Sequence, residues 1–227
     1  MKVLIDIGHP AHVHYFRNFI SDFSFKGHKV FISARNKEIT HNLLDYYGIE
    51  YFDRGYGGKG ILGKILYLFK GDYLLYKYAK NINPDILLSF GSPYAAHVST
   101  LINKPHIAFD DTEHSKFEHL LYVPCSKYIF TPKVFNKNFG KKHFKFNGYM
   151  ESSYLADNYF TPNKNIKKEL GINIDEKYVI IRFVSWEAGH DINQQGLTLD
   201  DKYKLVRELG KIKNIKIFIS SESKLPN

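Results

Sequence analysis

The sequence predicts an α/β protein: a Rossmann-like, doubly wound parallel sheet, the first half of a two-domain architecture, followed by the start of a second unit of the same kind. Three observations carry this. Short β-rich runs alternate with helix-length amphipathic segments. The strand-like runs are almost continuously apolar, as strands buried on both faces must be. Turn residues close each run.

In order, the predicted strands are "KVLIDI" (2–7), "KVFISA" (29–34), "IEYFD" (49–53), "DILLSF" (85–90), "HIAFD" (106–110) and "KYIF" (127–130). Helical periodicity falls between them, at 12–26, 36–47, 60–82, 93–103 and 114–121. The second helix stops at Gly48 and the fourth just before Pro105, both ordinary helix stops. These elements make a first domain over 1–153. Residues 154–177 are polar, contain Pro162 and one short helical piece at 164–170, and read as a linker. A second unit over 178–227 follows, with a strand at 178–184, a helix at 198–212 and a strand at 215–220. Two strands and a helix do not enclose a core, so this unit is expected to be cut short.

With 227 residues, 44% of them hydrophobic, the chain can bury a substantial core as one large or two small domains. Its single cysteine, Cys125, excludes an internal disulfide, and no cysteine pair offers zinc-ligand spacing. The first apolar run meets Asp6 and Gly8 too early for a signal peptide or a membrane span. A cytoplasmic protein is therefore expected. The formal charge of +9 points to anionic company: phosphorylated small molecules, an acidic lipid surface or nucleic acid. Nucleic acid ranks last, because no zinc-finger, basic-zipper or ribonucleoprotein pattern is present.

Ligands of open parallel sheets bind beyond the carboxyl ends of the strands, so function is sought in the loops that follow them. After the first strand comes "GHPAHVH": Gly8 turns the backbone, Pro10 fixes the helix start, and the unpaired N–H groups of the helix favour an anion. His9 and His12 suit a cleft wall, although packing and capping account equally well for either one. His14, two residues on from His12, points elsewhere. "FGSPYAAH" offers Gly91 and Ser92 to a ligand, or simply starts a helix. In "DDTEH", Asp110, Asp111, Glu113 and His114 form a poised acid/base set, since crowded carboxylates raise one another's pKa; Asp111 or Thr112 also reads as a helix cap. A zinc site built from these histidines and acids is a weaker reading, because the His-Glu-x-x-His spacing is missing. "RGYGGKG" matches neither a phosphate loop nor a dinucleotide fingerprint. The following "ILGKILYLFKGDYLLYKYAK" reads as a packed amphipathic helix, with a composition that also suits an anionic membrane surface. In the second unit "RFVSWEAGHD" sets Arg182, Ser185, Trp186 and His190 at a strand end, where arginine can grip a phosphate by a two-pronged contact.

The ordered combination of "MKVLIDIGHPAHVHYFRNFI", "ISARNKE", "DDTEH" and "IIRFVSWEAGHD" resembles the family designated domain of unknown function 354, which is similar to two-domain glycosyltransferases of the B type (GT-B). More distantly it is similar to non-hydrolysing sugar-nucleotide 2-epimerases and to the transferase that builds lipid II. The resemblance implies two Rossmann-like domains about one cleft, with the acceptor on the first and a nucleoside-diphosphate sugar donor mainly on the second, and no cofactor or metal required. It implies Gly8, His9 and His12 at the cleft floor, Asp110, Glu113 and His114 beside them, and Arg182 with Ser185 at the donor phosphates. The family's later glycine-rich and acidic donor segment does not occur within these residues. The expected activity is sugar transfer to a glycan or lipid-linked hydroxyl, with His9, Asp110 or Glu113 as the catalytic base, and with peripheral contact at the inner face of a membrane. The alternatives are a 2-epimerase acting on a uridine-diphosphate sugar and a non-catalytic binder of anionic glycan or nucleic acid.

Overall fold

The computed structural model describes residues 1–58, 60–184 and 196–221. The chain divides into two compact units, Met1–Phe160 and Thr161–Asn227.

The first unit follows the expected alternation: β1 (Lys2–Ile7), α1 (Pro10–Phe25), β2 (Lys29–Asn36), α2 (Thr40–Tyr46), β3 (Phe52–Tyr56), α3 (Gly60–Ile82), β4 (Ile86–Phe90), α4 (Pro93–Leu101), β5 (His106–Phe109), α5 (Lys116–Tyr122), β6 (Tyr128–Pro132), β7 (His143–Phe146) and a short α6 (Ser152–Leu155). All seven strands are parallel, in the order β3-β2-β1-β4-β5-β6-β7. The winding reverses between β1 and β4, which is where such sheets bind ligands.

Two layers of helix cover the sheet, as the alternation of side chains along β1 requires. Val3, Ile5 and Ile7 pack with Val13 and Phe16 of α1 and Leu44 of α2. Leu4, on the opposite face, packs with Leu75, Ala79 and Ile82 of α3 and with Ala95 and Val98 of α4. Tyr122, Ala96, Ala108 and Ile129 extend that second layer through α5. His97 ties the layer together: its Nδ1 lies 2.9 Å from Asp72 Oδ2 on α3 and its Nε2 3.2 Å from the Leu121 carbonyl on α5.

Several boundaries differ from the sequence reading. The third strand is "FDRGY" rather than "IEYFD", so that Arg54 becomes a buried strand residue. The seventh strand, "HFKF", was not anticipated: it is four residues long, sits at the sheet edge and follows a one-turn 3-10 helix, Gly140–Lys142. Helix α5 starts only at Lys116 with Ser115 before it, so neither Asp111 nor Thr112 caps it. The stretch 154–177 is shared between the units. Its first part is held to α1, where Tyr159 donates to Asp22 Oδ2 at 2.5 Å. Its remainder opens the second unit with α7 (Ile166–Glu169).

In the second unit β8 (Lys177–Phe183) and β9 (Ile215–Ser221) are parallel and joined through α8 (Leu199–Gly210), a right-sized crossover for a β-α-β unit. Thr198 caps α8, its Oγ1 accepting from the Asp201 amide at 3.2 Å.

Candidate active site

Beneath the carboxyl edge of the first sheet runs a belt of buried polar side chains. Asp6 of β1 lies in register with Ser33 of β2 and Ser89 of β4, making a polar row one residue below the edge. Asp6 Oδ1 is 2.7 Å from Arg54 Nη2, and Asp6 Oδ2 accepts from Ser92 Oγ at 2.5 Å. Arg54 Nε donates to Ser33 Oγ at 2.8 Å while the guanidinium lies over the Tyr94 ring, 4.5 Å from its centre. Gly71 of α3 makes this packing possible, because a Cβ there would stand 2.6 Å from the Tyr94 ring.

The belt continues through His106. The Ser92 amide donates to Ser89 Oγ, and Ser126 Oγ donates to the Tyr122 carbonyl. Ser126 has spent its proton, so His106 Nδ1–H donates to its Oγ at 2.9 Å, and the unprotonated Nε2 of the neutral ring accepts from Ser89 Oγ–H at 2.8 Å. The imidazole is neutral, and its burial lowers its pKa from 6.5 to about 3. At the far end Asp110 accepts from Tyr122 Oη at 2.5 Å and from the Thr112 amide at 2.8 Å, and lies 2.8 Å from His119 Nε2. Asp110 and Ser92, named above as site residues, are thus buried and committed to the fold. Ser92 also caps α4 by accepting from the Ala95 amide, and Gly91 before it needs its left-handed φ of 54° to make that turn.

Above the belt the edge is open. His9 caps α1, with Nδ1 accepting from the Ala11 amide at 3.2 Å. His12 Nδ1 accepts from the Gly8 amide at 3.3 Å. With Nδ1 occupied as acceptor, a neutral His12 ring carries its proton on Nε2. Burial, His9 and Lys37 lower the His12 pKa to about 3, which keeps that ring neutral. The two rings are 5.8 Å apart, and His12 packs against Phe90 at 4.9 Å and beside Tyr15. Gly8 has no left-handed φ, and a Cβ on it would meet nothing within 4 Å. The turn does not require glycine; the space above it is open. His14 instead faces Tyr47 and Tyr154 on the other side of α1.

Tyr15 leads from the histidines to the acids. Burial raises its pKa, and Asp111, Glu151 and Tyr154 add to the effect. Asp111, Glu113 and Glu151 line one cleft of about 240 Å³ with Phe135, Tyr149 and Met150. The Asp111 carboxyl is raised above the usual range by desolvation and by Asp110 and Glu151, against a lowering hydrogen bond from Thr112. Glu113 Oε1 accepts from the Asn136 amide at 2.9 Å, which latches the loop after β5 to the loop after β6. His114 stands exposed in the turn before α5. Loops after β1, β4 and β5 are thus adjacent along one edge. Sequence reasoning did not find Glu151, Tyr15 or Phe90, and no local pattern marks Glu151, which comes to the cleft from beyond β7. Among the described residues no group of three or more His, Cys, Asp or Glu is placed to hold a metal ion.

In the second unit Arg182 is an exposed residue of β8, in register with Ser220. Ser185, Trp186 and His190 lie outside the described residues.

A family model described as "Protein of unknown function (DUF354)" matches residues 1–222. Among curated proteins, the uncharacterized protein MJ0665 of Methanocaldococcus jannaschii is 25% identical over 190 residues, 80% of this chain and 56% of its own length. The chain therefore spans little more than half of that relative. Among solved structures, UDP-GlcNAc 2-epimerase from Neisseria meningitidis bound to UDP-GlcNAc matches with a TM-score of 0.74 at 15% identity, covering 98% of this chain and 66% of that one. The epimerase from M. jannaschii in complex with UDP-GlcNAc and UDP gives 0.65 at 15% identity, with 98% and 66% covered. Acinetobacter baumannii MurG gives 0.56 at 12% identity, with 96% and 67% covered. At such identities the likeness establishes the fold: a Rossmann-like sheet matching about two-thirds of GT-B-type chains.

Proposed function

We propose that this chain, which belongs to the DUF354 family, is part of a nucleotide-sugar enzyme that transfers a sugar to a hydroxyl acceptor, with the acid/base step at the open edge of the first sheet. The observation that carries this is the placement of Asp111, Glu113 and Glu151 around one cleft beyond the carboxyl ends of β5, β6 and β7, linked to the histidine loop through Tyr15. The fold shared with enzymes whose ligands are nucleotide sugars supports the same reading.

Asp111 is the base. Its raised pKa makes it a stronger proton acceptor than an ordinary aspartate. As the acceptor oxygen bonds to the anomeric carbon, its proton passes to Asp111, and the carbon–oxygen bond to the diphosphate breaks with its electron pair leaving on the diphosphate. His12 acts as a neutral Nε2–H donor that orients hydroxyls or steadies developing negative charge, and His9 sets the start of α1 beside it. This differs from the expectation of His9 or Asp110 as base: the first caps a helix through Nδ1, and the second is saturated by Tyr122, Thr112 and His119.

The three carboxylates also favour a second reading, 2-epimerisation, in which one group removes the proton from sugar carbon two as the diphosphate leaves carbon one, and another delivers a proton to the opposite face of carbon two as the diphosphate re-adds to carbon one. Incubation of the protein with uridine, guanosine, cytidine and thymidine diphosphate sugars in deuterated water separates the two. Transfer releases nucleoside diphosphate and leaves carbon two unlabelled; epimerisation labels it. Absence of both across the panel, with Asp111→Asn as control, defeats the proposal.

A further inference from the structure

Helix α3 carries two apolar faces. Tyr67, Gly71, Leu75, Ala79 and Ile82 form the buried one, which packs on the sheet and α4. The other consists of Leu62, Ile65, Leu66, Phe69 and Tyr73, a stripe at helical spacing that faces water. Leu62, Leu66 and Phe69 are 72%, 62% and 68% exposed and stand in succession along one helix face, so they form a patch rather than scattered surface apolar residues. Lys70, Lys77 and Lys80 border or continue this stripe, all exposed, while Lys64 lies on the opposite side of the helix. The helix has one acid, Asp72, and it is taken by His97. Among the described residues no helix is long and apolar enough to cross a membrane.

We propose that this stripe is a docking surface for an anionic lipid bilayer, onto which the protein lays α3 with its apolar side chains among the acyl chains and its lysines among the headgroups. The charge pattern selects this occupant. A second copy of the chain packed stripe to stripe would bring lysines against lysines with no exposed acid of α3 to offset them, whereas an anionic surface satisfies Lys70, Lys77 and Lys80 together. The orientation also suits the chemistry. Because β3 ends at the carboxyl edge and α3 begins there, Leu62 and Leu66 lie towards the same edge as the histidine loop and the acidic cleft. If the transfer reading holds, adsorption brings that edge to a lipid-borne acceptor; the docking itself does not depend on that reading and is measured without any sugar.

Sedimentation with phosphatidylcholine vesicles, with and without phosphatidylglycerol, tests the surface. The protein should bind the anionic vesicles, and binding should fall at raised salt. Leu66→Glu/Phe69→Glu should weaken it at least about 10-fold, and replacing Lys70 and Lys77 by glutamine should cost about 5-fold for each lysine. Phe25→Glu, on the fully exposed end of α1, should leave it unchanged, and circular dichroism confirms that each variant is folded. Three outcomes overturn the proposal: no binding to anionic vesicles, binding that the α3 variants do not alter, or a dimer in analytical ultracentrifugation that Leu66→Glu/Phe69→Glu dissociates.

Discussion

The belt beneath the sheet edge and the open edge above it use the same residue types to opposite ends. Asp110 and Asp111 are neighbours in the chain, yet Asp110 is 4% exposed and holds three partners, while Asp111 borders a cleft and feels Asp110 and Glu151 as like charges. His106 and His12 divide in the same way. Both are held neutral, but His106 uses both nitrogens within the belt, whereas His12 turns only Nδ1 to the backbone. Saturation of hydrogen-bonding capacity, more than residue type, separates what holds the fold from what is left for a ligand.

Breaking the belt should be the most damaging change. Arg54→Met leaves Asp6 buried beside an apolar chain, and removing one member of a buried ion pair costs about 3–5 kcal/mol. Denaturant unfolding should show that loss; an unchanged midpoint would mean that Arg54 and Asp6 do not act as a pair. At the open edge the effect should fall on rate alone. Asp111→Asn should lower turnover by about 10²–10⁴-fold, the usual contribution of a positioned base, with little change in unfolding midpoint. Equal losses in both quantities would assign Asp111 to the belt instead.

The pH dependence sharpens the contrast further. A raised carboxyl pKa contributes stability that is full below the ordinary value of about 4 and is lost as pH rises through the folded-state value. Asp111→Asn should therefore match the parent in acid and be at least as stable at neutral pH, and activity should rise with pH along an acid limb displaced above the ordinary aspartate range. For His106 and His12 the sign is reversed. With folded-state pKa values lowered from 6.5 to about 3, their contribution is complete above 6.5 and lost as pH falls towards 3. Unfolding measured across that window should show a falling stability, with a shallower slope in His106→Gln.

The sheet was legible in the sequence wherever strands were apolar and bounded by turns, which covers β1, β2, β4, β5 and β6. It was misread at β3, where hydrophobicity favoured "IEYFD" but the pairing with Asp6 and Ser33 admits Arg54 into the strand. A charge inside a strand is invisible to periodicity when its counterion lies nearly fifty residues away. The site shows the same divide. The loops after β1, β4 and β5 were found from strand ends alone, as topology dictates. Which aspartate would be free was not, since His119 and Tyr122, nine and twelve residues downstream, decide it. Glu151 had no local signal at all, because only the folded sheet brings the segment after β7 to the cleft.

The vacant space over Gly8 turns that position into a gauge. Alanine placed there would add a Cβ that meets nothing of the described chain within 4 Å, and serine and valine would protrude beyond it by graded amounts. The size at which a bound molecule begins to be repelled would then report how deep it settles against the backbone.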